Sequence, residues 1–180
     1  MLAACDADGF IIECCDIVLR EEDGTVDTER FVLWIVTKLC PMLGRYDQLE
    51  KRSVVVLDNA TIHHDDRVVD AIEATGALVI YTAPYSPDLN PIEWMFAQYK
   101  KAVMRYDKSD WAQAHVVALH AVTPGNARAY YRRCGVPGAE GFEDNGNKDD
   151  DSISADVAVA AAVAVYSQLQ AAANLYKHNF

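Results

Sequence analysis

The sequence predicts an α/β fold with a mixed sheet flanked by helices, and three observations lead to this class. Two short apolar runs, 53–57 and 77–81, are rich in β-branched residues and have the composition of strands buried on both faces of a sheet. Between them, residues 65–75 place apolar side chains at helical spacing and are followed by Gly76, a residue that commonly ends helices. A strand, a helix and a strand in this order predict two parallel strands. The first 19 residues add a predicted hairpin.

The predicted elements are, in chain order, strands at 1–5 and 10–19, a helix from Thr28 to Pro41, a strand at 53–57, a helix at 65–75, a strand at 77–81, and helices at 91–105, at 109–121 and from Thr123. The first two strands are joined by residues 6–9, a turn sequence typical of hairpins. From Thr28 the spacing of the apolar residues becomes helical, with Phe31 as the first of them. Asp27 or Thr28 is its N-cap, and Pro41 ends it.

The later elements are predicted from caps and from composition. The helix at 91–105 follows a proline-rich loop, with Asn90 as its N-cap and Glu93 in its first turn. Residues 139–156 are rich in Gly, Asn and Asp and are predicted to form an acidic linker. The segment 157–180 is rich in Ala and Val. Its alternating valines permit a strand, but its alanines and its length favour a C-terminal helix.

Composition excludes several classes of protein. Of 180 residues, 51% are hydrophobic and 24% are charged, which is typical of a globular chain. No window approaches about 18 consecutive apolar residues, so we expect no membrane span. The first residues lack the basic and apolar regions of a signal peptide, so we do not expect secretion. The five cysteines form no CxxC pair, which argues against a structural zinc site and favours a reducing compartment.

The charge is unevenly distributed along the chain. The net charge of −11 argues against a nucleic-acid partner, yet residues 94–138 contain two acids and seven bases, a local charge of +5. The acidic linker follows directly on this segment. Two interpretations stay open: the bases form solvated helix faces, or they contact the phosphates of a nucleic acid.

Two carboxylates are candidates for one divalent-metal site. Asp58 directly follows a predicted buried strand, and functional crevices of open α/β sheets lie at that edge. Glu93, separated from Asp58 by thirty-four residues, opens a helix whose dipole favours an anion. Carboxylates are the ligands that Mg²⁺ prefers. Each residue also has a simpler interpretation, because Asp58 can turn the chain after a strand and Glu93 can form a capping box with Asn90. Likewise, His63 is either a ligand or a turn residue without a functional role.

Two motifs carry a resemblance to a known family. The first is Leu57-Asp58-Asn59-Ala60-Thr61-Ile62-His63, and the second is Pro84-Tyr85-Ser86-Pro87-Asp88-Leu89-Asn90-Pro91-Ile92-Glu93. Together they resemble the catalytic half of mariner-type DDE transposases, the DDE superfamily endonuclease domain. That family has the same number of residues, thirty-four, between its second and third acidic ligands. The resemblance covers roughly residues 1–138, where 127–135 is similar to the segment that closes these domains.

The resemblance implies a ribonuclease-H-like fold and strand cleavage and transfer, dependent on Mg²⁺ or Mn²⁺, at transposon ends. It implies DNA as the partner, permits a homodimer, and places the protein in the nucleus of a eukaryote or otherwise in the cytoplasm. The roles that it implies are second metal carboxylate for Asp58, third for Glu93, supporting positions for Asn59, His63 and Asn90, and phosphate contacts for Lys100, Lys101 and Arg105.

The sequence departs from the family at the first acidic ligand, which belongs to a strand preceding the hairpin. Asp6, Asp8 and Asp16 do not occupy that position. We therefore expect an N-terminally truncated copy that lacks the family's first strand and is inactive or nearly so. The alternative is a non-catalytic remnant that binds nucleic acid or protein through the basic segment. A phosphohydrolase of unrelated ancestry does not explain the loop from Pro84 to Glu93.

Overall fold

The structure is a computed structural model that describes residues 1–17, 26–105, 111–136, 139 and 161–164. Within these residues the chain is a mixed α/β structure, as predicted. The strands are β1 (Cys5–Asp6), β2 (Gly9–Phe10), β3 (Val54–Leu57), β4 (Leu78–Tyr81) and β5 (Ala161–Ala164), and the α-helices are α1 (Thr28–Trp34), α2 (Asp66–Glu73), α3 (Pro91–Val103), α4 (Trp111–His120) and α5 (Pro124–Arg133).

The parallel unit predicted around α2 is present. β3 and β4 pair in parallel over their whole length, from Val54 opposite Leu78 to Leu57 opposite Tyr81. The helix between them is capped by Asp65, whose side chain accepts a hydrogen bond from the backbone N–H of Arg67. Because parallel strands end at the same edge, the residues that follow Leu57 and Tyr81 lie side by side.

Helices cover β3 on both faces. Val55 and Leu57 belong to one buried cluster, together with residues of α1 and α2. Val56, which points to the opposite face, packs against a second cluster built by α3, α4 and α5. The buried members from the helices are Phe31, Trp34, Val68 and Ile72 on the first side and Ile92, Met95, Phe96, Tyr99, Ala118, Leu119, Ala127 and Tyr131 on the second. The strand that precedes Asp58 is therefore held in the interior.

The N-terminal hairpin is shorter than predicted. β1 and β2 pair antiparallel, with Asp6 opposite Gly9. The predicted strand 10–19 is wrong at Ile12–Cys14, where the chain forms a turn of 3₁₀ helix. The indole N–H of Trp34 donates to the backbone oxygen of Cys14 at 2.9 Å, so a tertiary contact fixes this turn against the local β preference.

The first helix begins as predicted. The Asp27 side chain accepts a hydrogen bond from the backbone N–H of Arg30, which makes Asp27 the N-cap of α1. After Trp34 the helix continues as a wider π-helical turn over Ile35–Leu39, and Pro41 lies in the 3₁₀ turn Cys40–Met42 that ends it. Phe31 lies on the side of this helix that packs on the sheet, in one buried cluster with Val55 and Leu57.

The C-terminal helix predicted over 157–180 is corrected at the four described residues of that segment. Ala161–Ala164 form β5, which pairs in parallel with β3 from Val54 opposite Ala161 to Leu57 opposite Ala164. Tertiary pairing overrides the helix preference of the alanines, because β3 has a second edge whose backbone groups need partners. The sheet order is β4-β3-β5. Apart from Ala139, the predicted linker 139–156 lies outside the described residues, as does the rest of 157–180.

None of the described helices has the length and the apolar character needed to cross a membrane.

Candidate functional site

Asp58 is the first residue after β3 and is held in a fixed orientation. Its side chain is 18% exposed. One carboxylate oxygen, Oδ1, accepts a hydrogen bond from the backbone N–H of Ala60 at 3.0 Å and lies 2.6 Å from Nδ1 of His63. Both contacts are local, within five residues of Asp58, so the turn that follows the strand positions the carboxylate itself.

The His63 side chain is fully buried and contacts Asp58 through Nδ1. Nδ1 lies 3.1 Å from the backbone oxygen of Asp58 as well as 2.6 Å from its carboxylate. Because both oxygens are acceptors, Nδ1 carries the hydrogen. The ring packs on Phe31, with centroids 4.7 Å apart, and the hydroxyl of Tyr81 donates to the backbone oxygen of His63 at 2.8 Å. Residues from a helix, a turn and a strand thus contact His63.

Asn59 joins the ends of the two parallel strands. Its side-chain amide donates to the backbone oxygen of Thr82, the residue that follows β4. The backbone N–H of Thr82 in turn donates to the oxygen of Leu57 at 2.9 Å. These two hydrogen bonds fix the residues that follow β3 and β4 relative to each other. The loop that starts at Thr82 leads to α3.

Glu93 lies in the first turn of α3 and is half-buried. The helix begins at Pro91, and the buried Asn90 caps it by accepting a hydrogen bond from the N–H of Ile92 at 3.3 Å. The predicted N-cap is confirmed. Burial raises the pKa of Glu93 to about 7, the positive charge of Lys100 lowers it, and the negative charge of Asp58 raises it.

The Asp58 and Glu93 carboxylates are coupled electrostatically. Asp58 changes the pKa of Glu93, so the two side chains lie within electrostatic reach of each other, at the end of β3 and the start of α3. Among the described residues, no donor forms a hydrogen bond to the Glu93 carboxylate. A half-buried acid beside another acid is stabilised in its charged form by a cation.

The chemistry of these two groups fits a hard divalent cation, which prefers carboxylate oxygens. Asp58 and Glu93 would be the protein ligands. Within the described ranges, no group of three or more His, Cys, Asp or Glu side chains is arranged to hold a metal ion. The three acids near the hairpin instead form ion pairs, Asp6 with Arg52, Asp8 with Arg128 and Asp16 with Arg30.

The predicted basic residues of α3 divide into two kinds. Lys100 is half-buried and its charge acts on Glu93, from which it is separated by about two helical turns. Lys101 and Arg105 are exposed. Of the other bases between 94 and 138, Arg128 pairs with Asp8 and Arg133 lies 3.8 Å from the ring centroid of Trp94. The segment is therefore not one uniform basic surface.

Sequence reasoning missed the two neighbours that hold this site together. The sequence places Phe31 in the apolar period of a helix, and nothing in its local sequence indicates that its ring packs on His63, because the two residues are thirty-two positions apart. The family resemblance implies a DNA contact for Lys100. Its effect on Glu93 follows from a spacing of seven residues on one helix face, which the sequence does contain.

Comparison with known proteins adds one match. A family model for DDE superfamily endonucleases matches residues 10–113, a range that contains Asp58 and Glu93. No curated protein matches, and neither does any solved structure. The match covers more than half of the 180 residues, from the hairpin to the start of α4. The chain therefore belongs to the DDE superfamily endonuclease family.

Proposed function

We propose that this chain is a transposase-derived domain for DNA strand cleavage and transfer, of the mariner type and with a ribonuclease-H-like arrangement of sheet and helices. Asp58 and Glu93 are its ligands for Mg²⁺ or Mn²⁺, and DNA at transposon ends is its substrate. The observation that supports the proposal is the placement of Asp58 directly after the buried strand β3 and of Glu93 in the first turn of α3, together with the effect of the Asp58 charge on the pKa of Glu93. Family membership supplies the reaction class, cleavage within a nucleic-acid strand.

Each residue of the site then has a physical task. A divalent cation supplies a Lewis acid for displacement at a phosphodiester. Asp58 presents an oriented carboxylate because Ala60 and His63 fix one of its oxygens. Glu93 contributes a second carboxylate whose negative charge lacks a hydrogen-bond donor among the described residues. Outside this pair, Lys101 and Arg105 offer exposed charges for phosphates, whose contacts give affinity without sequence specificity.

We further propose that this chain cleaves DNA weakly or not at all. Two carboxylates share the site, and the described ranges contain no cluster of three potential ligands. Displacement at a phosphodiester is helped most when two metal ions hold the attacking and the leaving oxygen, and two side chains provide few protein ligands for that arrangement.

Metal binding is the direct test. Isothermal titration with Mn²⁺ is expected to detect binding to the native chain, and Asp58→Asn or Glu93→Gln is expected to weaken it by about tenfold or more, since each removes a charged ligand. Matched controls are Asp70→Asn and Glu73→Gln, two exposed acids on and at the end of α2. Equal losses in the site variants and in the controls would refute a shared site.

Catalysis is tested separately, with supercoiled plasmid DNA and Mg²⁺. We expect the native chain to nick no faster than Asp58→Ala. Robust nicking by the native chain that disappears in Asp58→Ala would contradict the proposed inactivity while supporting the proposed metal site.

A second candidate function is that of a non-catalytic DNA-binding remnant. The exposure of Lys101, near the end of α3, and of Arg105, just beyond it, favours this function. It predicts DNA binding without metal that weakens steeply with salt. The double variant Lys101→Ala/Arg105→Ala should lose most of this affinity, whereas Lys51→Ala, at an exposed lysine in a turn before β3, should retain it. Binding that ignores the double variant would exclude this surface.

A further inference from the structure

The second edge of β3 is occupied by a strand that comes from far along the chain. β5 lies about a hundred residues beyond β3 in sequence, yet all four of its residues pair with β3 in parallel register. The β1–β2 hairpin contacts β5 as well. The strand Ala161–Ala164 therefore lies between the N-terminal hairpin and the β3–β4 pair.

The structural need for a strand at this position comes from β3. Val55 and Leu57 are completely buried and Val54 is 4% exposed, and helices pack on both faces of the strand. Backbone N–H and C=O groups at such depth are nearly always paired. β4 satisfies one edge of β3, and only a second strand in the sheet satisfies the other. The position therefore binds a strand mainly through its backbone.

The occupant has the composition that such a position requires. Residues 157–165 are Val-Ala-Val-Ala-Ala-Ala-Val-Ala-Val, a run of nine without charge, glycine or proline. A charged side chain would be costly beside a buried strand, and proline would remove a backbone donor from the centre of a sheet. On both sides of this run the sequence is polar, with Asp156 before it and Ser167 shortly after.

We propose that the space between the β1–β2 hairpin and β3 is a strand-binding site, and that the uncharged run around Ala161–Ala164 is a separable segment of this chain that docks there. Recognition combines parallel backbone hydrogen bonds with apolar neighbours. The segment completes the sheet from the C-terminal end of the chain, and the bound state depends on the strand being uncharged, free of proline and in register with Val54–Leu57.

Hydrogen–deuterium exchange of the native chain is the first test. The amides of 161–164 should exchange about a hundredfold more slowly than in a free peptide of the same sequence, because they are bonded inside a sheet. Exchange at the rate of the free peptide would overturn the proposal. This measurement needs no variant, so it is independent of any loss of folding.

A variant pair tests the dependence of β3 on the docked strand. Ala162→Pro should accelerate exchange at Val54–Leu57, while α5 stays protected, and Ala172→Pro, the same change ten residues further along, should leave β3 unaffected. Addition of a synthetic peptide of residues 157–166 should restore protection of β3 in Ala162→Pro, whereas the same peptide with proline at 162 should not. If Ala162→Pro unfolds globally, recovery of the fold by the native peptide supports docking and failure of recovery contradicts it.

Discussion

The two carboxylates of the candidate site are held in opposite ways. At the end of β3, Asp58 is bound by a backbone N–H and an imidazole, and the imidazole itself is fully buried against Phe31. At the start of α3, Glu93 is oriented only by its place in the first helical turn, and its pKa is raised to about 7. One acid accepts hydrogen bonds from the protein, whereas burial of the other favours its protonated form despite the charge of Lys100.

This difference indicates a division of tasks within one site. A carboxylate whose bonds are already made keeps its geometry with or without a ligand. A half-buried carboxylate beside a second negative charge lowers stability until a cation neutralises it. The end of β3 therefore behaves as the rigid part of the site, and the start of α3 as the part whose energy changes most when a divalent ion binds.

The largest expected change in stability comes from a substitution at the end of β3, the rigid part of the site. His63→Ala should lower the free energy of unfolding by about 2–4 kcal/mol, because it removes a fully buried ring together with the donor to Asp58. Urea denaturation followed by circular dichroism measures the change. His64→Ala is the matched control: His64 is exposed and stacks only on Tyr81, so its loss should cost less than about 1 kcal/mol. Equal losses of unfolding free energy in His63→Ala and His64→Ala would contradict a structural role specific to His63.

The next prediction concerns the signs of two substitutions in metal-free buffer at pH 8. Asp58→Ala should destabilise the fold by about 1–3 kcal/mol, because Ala60 and His63 lose their common acceptor. Glu93→Gln should stabilise it by roughly 1 kcal/mol, allowing for screening of a half-buried charge, which corresponds to a Tm increase of about 2–4 °C. Thermal unfolding with a chelator present measures both changes.

Mn²⁺ sharpens this test. The metal should raise the Tm of the native chain and should leave that of Glu93→Gln almost unchanged, since the variant has lost a ligand. A drop in Tm for Glu93→Gln without metal would contradict the claim that this acid lowers stability when it is charged.

The sequence predicts much of the fold and of the candidate site, and the parts that it does not predict depend on contacts between distant residues. The buried strand before Asp58, the parallel unit and the cap at Asn90 all follow from local patterns of apolar residues, glycine and proline. The packing of Phe31 on His63 does not, because it joins residues distant in sequence. β5 was missed for a related reason: alanine favours a helix locally, whereas an unfilled edge of β3 selects a strand.

A smaller effect is expected in the pH dependence of stability. Glu93 releases its proton near pH 4.5 in the unfolded chain and near pH 7 in the folded one. The unfolded state therefore binds fewer protons between these values, so the contribution of Glu93 makes stability fall as the pH rises from about 4.5 to about 7 and level off above that. The difference in unfolding free energy between Glu93→Gln and the native chain, measured in metal-free buffers, should widen across this window. A difference that is constant with pH would place the titration elsewhere.

The smallest predicted effect separates two adjacent lysines and sharpens the description of the less rigid carboxylate. Lys100 lowers the pKa of Glu93, so Lys100→Ala should raise that pKa further above its ordinary value, because the remaining influences, burial and the charge of Asp58, both favour the protonated acid. Lys101→Ala should leave the pKa of Glu93 unchanged, since Lys101 is exposed and the charges that act on Glu93 are those of Lys100 and Asp58. The pKa is measured from the carboxyl ¹³C chemical shift of Glu93 as a function of pH in the native chain and in both variants. If both lysines shift the pKa equally, α3 presents a diffuse positive field to Glu93, and the distinction between a lysine that belongs to the site and one that faces solvent does not hold.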